Sequence, residues 1–169
     1  FLKPSMPEDA PPRRIAVATW NLLAPCYVRV AGQTWNAFAM CSDEVLAWDT
    51  RRPRIAEWIA QSPHHILALQ EVVFEKRGAT EGEDTLWTIP LWLEDCAEQG
   101  GFVGVMQGLK QQDFEKHAAR NEKAVGTSSA TGLVTLYKKN RFEKMSEKHG
   151  SGSGSVIVLS DLLCPLRSR

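Results

Sequence analysis

Two polar side chains follow runs of strand-forming residues, and both belong to types that bind hard divalent cations. Asn21 follows residues 15–20, and Glu71 follows residues 66–70. Carboxylate and amide oxygens are suitable ligands for Mg²⁺, which keeps most of its waters and takes only one or two carboxylates beside substrate phosphate. If the two strands are neighbours, the pattern indicates a sparse site for a divalent cation at their ends.

Each candidate residue also has a purely structural interpretation. A glutamate at a strand end usually faces solvent, and an asparagine after a strand is often a turn residue or a helix cap. Gln70 should point to the opposite side of its strand from Glu71, where a structural hydrogen bond is expected. Adjacent histidines point in opposite directions in a strand, so His64 and His65 are interpreted as a turn between a helix and a strand.

The hydrophobic pattern predicts alternating strands and helices. The fold class predicted is therefore α/β (α+β), with a mixed sheet and flanking helices on its outer face. Because residues 15–20 are apolar on both faces, we expect a central strand that is covered on both sides. The predicted strands lie near residues 14–20, 66–72, 102–106 and 132–138, and the predicted helices lie near 51–62 and 87–98.

Several details of these elements are also predicted. Asp49 or Thr50 can cap the first of these helices, with Pro53 tolerated in its first turn. Residues 75–85 are polar and contain glycine, which predicts a loop, and residues 107–130 are polar, charged and weakly periodic. At the end of the chain, Phe142 should begin a strand, residues 151–155 resemble a linker, and residues 156–159 could form a strand without partners.

The strings Trp20-Asn21-Leu22-Leu23-Ala24 and Leu69-Gln70-Glu71-Val72 resemble motifs of the endonuclease/exonuclease/phosphatase superfamily, which has a DNase-I-like fold. The similarity is greatest to its deadenylase, nocturnin and angel-like branch, and it covers roughly residues 14–145. Two further elements match in order along the chain: Trp48 with Arg51 or Arg52 before a helix, and strand 132–138 followed by Arg141-Phe142.

The resemblance implies part of a four-layer α/β sandwich and a Mg²⁺-dependent phosphodiesterase. It implies that Asn21 and Glu71 are catalytic, that Glu71 is the Mg²⁺ ligand, and that Asn21 orients Glu71 or phosphate. The activity implied is 3′–5′ exoribonuclease action of the deadenylase or nocturnin type, on poly(A) RNA or a nucleotide phosphoester. Two alternatives stay open. One is a relative that acts on another phosphoester, such as a nucleotide, a phosphoinositide or a sphingolipid; the other is a non-catalytic truncated or interaction module.

Two motifs of the resembled family have no counterpart in this sequence. No Asp is followed two places later by Asn, and no Asp is followed by His, because Asp161 precedes a leucine. We therefore expect an N-terminal half of the catalytic domain that lacks its C-terminal half and is inactive as this chain. The expected organisation is a disordered lead-in over 1–13, the domain part over 14–145 and a linker-like tail over 146–169.

Composition narrows the possible surroundings of the protein. The chain has 20 basic and 20 acidic residues, so it lacks the overall basicity of a nucleic-acid-binding chain, although residues 107–148 carry an excess of positive charge. That stretch could face phosphate or be a solvated loop.

No two cysteines have the C-x-x-C spacing, which predicts reduced thiols in a reducing compartment. No apolar run has the length of a membrane span, and the predicted location is intracellular, most simply cytoplasmic, with nucleus and mitochondrion left open.

Overall fold

The structure is a computed structural model that describes residues 14–28, 38–78, 85–149 and 155–163. These residues form eight strands and five helices. The strands are β1 (Val17–Asn21), β2 (Ile66–Val73), β3 (Glu75–Arg77), β4 (Leu86–Thr88), β5 (Phe102–Met106), β6 (Thr131–Lys138), β7 (Phe142–His149) and β8 (Ser155–Asp161). The helices are α1 (Pro25–Val28), α2 (Asp43–Leu46), α3 (Trp48–Ala60), α4 (Leu91–Gln99) and α5 (Gln111–Val125).

Four strands form a mixed sheet in the order β1-β2-β6-β5. β1 and β2 are parallel, and Asn21 is paired with Gln70 at their C-terminal ends. β6 is antiparallel to both of its neighbours, β2 and β5. The predicted mixed sheet and its four strands are thus confirmed, and the parallel pair brings the ends of β1 and β2 to one edge.

The main hydrophobic core lies between one face of this sheet and the helices α3, α4 and α5. Ile55 and Ile59 lie one turn apart on α3, so both point to the sheet. The largest fully buried side chains are Phe114, Ile59, Leu67, Leu69, Leu93, Leu136, Val72 and Val134. Because each such side chain contributes about 1.5–3 kcal/mol on burial, this core fixes the strands that carry Asn21 and Glu71.

The opposite face of the sheet is covered only in part by the described residues. The hairpin of β7 and β8 packs there, and Ile157 and Leu159 contact a small core around Val105 and Tyr137. At the other side of this face Val17 is 58% exposed. The described part of the sheet therefore has one fully covered face and one partly open, apolar face.

β1 was predicted to be a central strand covered on both sides, and this prediction is wrong for the part of the chain that the structure describes. There β1 pairs with β2 alone and lies at an edge of the sheet. Ala18 and Trp20 pack against the main core, whereas Val17 and Thr19 are exposed. The apolar side chains on both faces reflect strand propensity and do not determine which neighbours the strand has.

The first long helix begins earlier than predicted and without a side-chain cap. α3 starts at Trp48, and its N-cap residue Ala47 makes no side-chain hydrogen bond. Ser42 instead caps the preceding helix α2, where its hydroxyl accepts a bond from the amide of Val45 at 3.4 Å. Pro53 therefore lies in the helix interior, where its missing N–H removes one helical hydrogen bond.

Three segments differ from the sequence prediction. Residues 75–77 and 86–88, predicted as loop and helix start, form the strand pair β3–β4, so α4 begins only at Leu91. Residues 111–125 form α5, which ends at Gly126 in the left-handed conformation with φ +74°. The expectation that residues 156–159 have no partner is wrong, because β8 pairs with β7. Residues 1–13 and 151–154 lie outside the described residues, and the division into segments stays a prediction.

Candidate metal and phosphate site

Asn21 and Glu71 lie together at the C-terminal ends of the parallel strands β1 and β2. The amide nitrogen Nδ2 of Asn21 donates a hydrogen bond to Oε1 of Glu71 at 2.7 Å. The two side chains are therefore in direct contact, as the sequence predicts for neighbouring strand ends. In this arrangement Asn21 orients the carboxylate.

A β-bulge directs the carboxylate of Glu71 toward Asn21. Leu69 is paired with Val134 and Val72 with Gly132, so two residues of β2 lie opposite one residue of β6. At the bulge Glu71 has φ +55°, in the left-handed region. This conformation costs a non-glycine residue about 1–2 kcal/mol, and such strain is typical of functional sites, where the surrounding structure fixes it.

The loop after β1 donates two backbone hydrogen bonds to the same pair of side chains. The amide of Leu23 donates to Oδ1 of Asn21 at 2.8 Å, and the amide of Ala24 donates to Oε2 of Glu71 at 2.9 Å. Leu23 also has a positive φ of +54°. Each carboxylate oxygen thus accepts one bond and keeps further acceptor capacity, which is available to a cation.

Arg51 on α3 fixes this loop by hydrogen bonds to its backbone carbonyls. Its Nη1 donates to the carbonyl of Leu22 at 2.9 Å, its Nη2 to that of Leu23 at 3.0 Å, and its Nε to that of Leu46 at 2.9 Å. The guanidinium lies 5.3 Å from the ring centroid of Trp48, where a cation–π contact forms. Burial lowers the pKa of Arg51, and the side chain still stays charged at neutral pH.

The sequence left open whether Arg51 or Arg52 matches the arginine of the resembled family. Only Arg51 contacts the loop that follows Asn21. Arg52 is exposed and lies 4.0 Å from the carboxylate of Asp49, one turn away on the surface. The structure therefore gives Arg51 the role near the site.

A polar network on the other side of the loop was not anticipated from the sequence. The hydroxyl of Tyr27 on α1 donates to Oδ1 of Asn121 on α5 at 3.2 Å and lies 3.0 Å from Oγ1 of Thr131 on β6. Asn121 in turn donates to the carbonyl of Ser129 at 2.7 Å. No spacing in the sequence indicates these contacts, because they join elements about 100 residues apart.

The thiol of Cys26 lies close to this side of the site. Burial raises its pKa, the Ser129 hydroxyl lowers it, and the negative charge of Glu71 adds to the increase. Burial also raises the pKa of Cys96, to about 11. Because the thiolate is the nucleophile and metal ligand, neither protonated thiol is prepared for that chemistry at neutral pH.

Gln70 and the two histidines have structural roles. Nε2 of Gln70 donates to Oγ1 of Thr19 at 2.7 Å and to the carbonyl of Ala68 at 2.9 Å. His64 lies 2.9 Å from the Ser62 hydroxyl. These histidines precede β2, at the opposite end of that strand from Glu71, which agrees with their interpretation as a turn.

The donor set fits a water-rich Mg²⁺ better than a metal that needs several protein ligands. In the described part of the chain no three His, Cys, Asp or Glu residues come together to hold a metal ion. Zinc usually requires three or four nitrogen or sulfur ligands, and calcium takes six to eight oxygens. One oriented carboxylate is sufficient for the protein's share of a Mg²⁺ site that is completed by water and phosphate.

Comparison with solved structures shows which fold these elements belong to. No protein-family model and no curated protein sequence matches the chain. The crystal structure of ANGEL2, described as a 2′,3′-cyclic phosphatase, matches with a TM-score of 0.54 and 18% identity, over 89% of this chain and 38% of that one. The chain has a DNase-I-like fold.

Two further structures are similar to the chain over part of their length. ANGEL2 in complex with adenosine-2′,3′-vanadate gives a TM-score of 0.53 at 17% identity, over 89% of this chain and 38% of that one. The human Nocturnin catalytic domain with bound sulfate gives 0.44 at 18% identity, over 79% and 36%. The chain spans little more than a third of the length of each of these structures. No helix in the described ranges is long and apolar enough to cross a membrane.

Proposed function

We propose that this chain contributes the Glu71 side of a Mg²⁺-dependent phosphoesterase site. The observation that supports this most strongly is the strained conformation of Glu71, whose carboxylate is oriented by Asn21 and by the amide of Ala24. A glutamate that served only as a solvated strand end would not require a left-handed backbone and two fixed donors. The DNase-I-like fold supports the same proposal by analogy.

In this proposal each residue has a defined part. Mg²⁺, when bound, polarises a phosphoryl oxygen and stabilises charge on the leaving oxygen. Glu71 binds the cation, and Asn21 fixes the rotamer of that carboxylate. The amides of Leu23 and Ala24 keep both side chains in place, so that little reorganisation is required when phosphate arrives.

The proposed substrates are phosphoesters of ribonucleotides. The sequence motifs favour a 3′–5′ exoribonuclease of the deadenylase type that acts on poly(A). The structural likeness to ANGEL2 favours a second candidate, hydrolysis of a 2′,3′-cyclic phosphate at an RNA end. Both reactions place an anionic phosphoryl group at a cation, so both would depend on Glu71.

A comparison of the 169-residue chain with its Glu71→Gln variant tests the proposal. Glutamine keeps the shape and one acceptor oxygen but removes the charge. Mn²⁺ is the probe, because its electron paramagnetic resonance signal decreases on binding. We expect the original chain to bind Mn²⁺ and the variant to lose that binding with an unchanged fold. Equal binding by both chains would reject the metal role and leave the non-catalytic interaction module.

Hydrolysis is measured on the same two chains with labelled poly(A) and with an RNA that ends in a 2′,3′-cyclic phosphate. The sequence contains neither an Asp-x-Asn nor an Asp-His string, and a missing general base alone typically lowers a rate by about 10²–10⁴-fold. We therefore expect no detectable turnover of either substrate. Turnover that depends on Glu71 would contradict this expectation and would show which of the two substrates is preferred.

A further inference from the structure

Arg51 contacts the candidate site through the backbone of the loop after β1. Its Nη1 donates to the carbonyl of Leu22 at 2.9 Å and its Nη2 to the carbonyl of Leu23 at 3.0 Å. These are two consecutive carbonyls, and the planar guanidinium spans both with its two terminal nitrogens. Arginine is the side chain whose fixed fork suits such a pair of acceptors.

Each of these carbonyls belongs to a peptide unit whose N–H donates to a site residue. The carbonyl of Leu22 shares its peptide plane with the amide of Leu23, which donates to Oδ1 of Asn21 at 2.8 Å. The carbonyl of Leu23 shares its plane with the amide of Ala24, which donates to Oε2 of Glu71 at 2.9 Å. Two short chains of hydrogen bonds therefore lead from one guanidinium to Asn21 and to Glu71.

Each of these series of hydrogen bonds has an orienting effect and an electronic effect on the site. A cation at the carbonyl oxygen polarises the peptide unit and makes its N–H a stronger donor. The same contact fixes the peptide plane, which matters because Leu23 has the unfavourable φ of +54°. Without a partner on the carbonyls, the loop could relax toward ordinary backbone angles and withdraw both amides from the site.

Arg51 is itself well anchored. Its Nε donates to the carbonyl of Leu46 at 2.9 Å, and its guanidinium lies over the ring of Trp48. Trp48 packs edge-on against Trp92 of α4, with 5.5 Å between the ring centroids. The positive charge is therefore fixed relative to the helices of the core.

We infer that Arg51 is a positioning residue for the candidate metal site, which fixes and polarises the two peptide units that orient Asn21 and Glu71. This inference rests on the proposed function only where it concerns metal binding. The contacts that carry it do not involve a metal. Its consequence is that a residue with no contact to the cation sets how well Glu71 binds it.

The test compares Arg51→Lys and Arg51→Met with the matched surface control Arg52→Met, all in the full chain. A second control, Ile55→Val, lowers stability from the same helix and leaves the hydrogen bonds of Arg51 to the loop in place. The first readout is the amide signals of Leu23 and Ala24 in metal-free ¹H–¹⁵N NMR spectra. We expect both signals to shift and to exchange faster in the Arg51 variants and to stay unchanged in both controls.

The second readout is the affinity for Mn²⁺. Loss of a group that supports a metal ligand typically lowers affinity by about 10–100-fold, and we expect this range for Arg51→Met. Arg51→Lys should lose less, because an ammonium can still contact one of the two carbonyls. The controls should bind as the original chain does.

The outcomes separate the two proposals. If the original chain shows no Glu71-dependent Mn²⁺ binding, the proposed function fails, and the amide signals still decide the role of Arg51. If Arg51→Met does not fold, Arg51→Lys decides alone. Unchanged Leu23 and Ala24 signals in Arg51→Lys, or equal shifts in Ile55→Val, would overturn the inference.

Discussion

Asn21 is paired in the sheet with Gln70, yet its side-chain amide donates to the carboxylate of the next residue, Glu71, at 2.7 Å. The contact exists because β2 has a bulge between Leu69 and Val72 and Glu71 adopts φ +55°. In a regular strand, neighbouring side chains point to opposite faces. The site therefore depends on a local departure from strand geometry, which makes the backbone itself testable.

Substitution of Glu71 by glycine and by alanine should reveal the strain. Both changes remove the carboxylate and its two hydrogen bonds, so the order of their stabilities reports the tolerance of each residue for positive φ. Glycine adopts this conformation freely, whereas alanine pays about 1–2 kcal/mol. We expect Glu71→Gly to be more stable than Glu71→Ala by about 1 kcal/mol in urea unfolding. In an ordinary strand alanine is the more stable of the two, so that order would contradict the strained conformation.

Substitution of Asn21 by aspartate should make stability depend on divalent cations. The change replaces the donor at Oε1 of Glu71 with a second carboxylate, and two like charges in contact repel each other. We expect a lower melting temperature in a chelator and a recovery with Mg²⁺ that is larger than for the original chain. Asn21→Ala is the control, because it removes the donor without adding charge. An equal response to Mg²⁺ in both variants would argue against a cation between these positions.

Substitution of Gly132 by alanine should disturb the strand opposite the bulge. Gly132 is paired with Val72, and an added Cβ would lie 2.6 Å from Cδ of Gln107. Gln107 is buried, and its Oε1 accepts a hydrogen bond from the amide of Leu133 at 3.0 Å. Overpacking of this kind costs about 1–3 kcal/mol, measured by urea unfolding. Gln107→Ala removes the clash, so Gly132→Ala should lower the free energy of unfolding by less in a chain that already carries Gln107→Ala. If the losses of the two substitutions simply add, the clash with Gln107 is not the cause.

His65 should make the protein less stable under mildly acidic conditions. Its Nδ1 accepts the amide of Ala16 at 2.9 Å, and its Nε2 lies 2.7 Å from Nη1 of Arg141. Burial lowers the pKa of His65 below 6.5, and the charge of Arg141 lowers it further; Lys138 acts in the same direction, and Asp161 opposes them. Below about pH 6.5 the unfolded chain therefore binds a proton that the folded chain does not. The free energy of unfolding consequently decreases as the pH is lowered, until the pH is below the folded-state pKa of His65.

The measurement is urea unfolding as a function of pH, with His65→Gln as the control that flattens the profile near pH 6. Asp161 acts in a different range. The hydrogen bond from Arg141 lowers the pKa of Asp161 below 3.8, so its contribution is present above that value and is lost only in stronger acid. A profile unchanged by His65→Gln would show that the histidine has the same pKa in both states.

The strands of the central sheet could be predicted because their signals are local. Ile66 to Leu69 is a continuous apolar run, and Phe102 to Met106 follows a glycine pair that ends a helix. The short strand at Leu86–Thr88 could not be predicted, since it depends on pairing with Glu75–Arg77. Leu86 and Ile89 also fit a helical period, and the tertiary partner overrides that pattern.

The residue types of the candidate site and the proximity of Asn21 to Glu71 could be predicted, whereas the backbone conformation that brings them together could not. Asn21 and Glu71 could be identified because polar residues end two apolar runs. The sequence does not indicate the left-handed conformation of Glu71, because the usual signal for that conformation is a glycine or an asparagine. The contacts of Arg51 were equally hidden, since they end on backbone carbonyls and require no particular side chain in the loop.

That last feature has a consequence for how much the loop after β1 can vary. The hydrogen bonds that Arg51, Asn21 and Glu71 make with Leu22, Leu23 and Ala24 all involve main-chain atoms of this loop. Leu22 and Ala24 are buried, so their identities serve packing, and the chemistry of the site does not depend on the side chains of this loop. A library randomised at position 23 should accept glycine and asparagine with Glu71 still oriented. The pattern of the site is carried by Asn21, Arg51 and Glu71, and it is recognisable only when these distant positions are considered together.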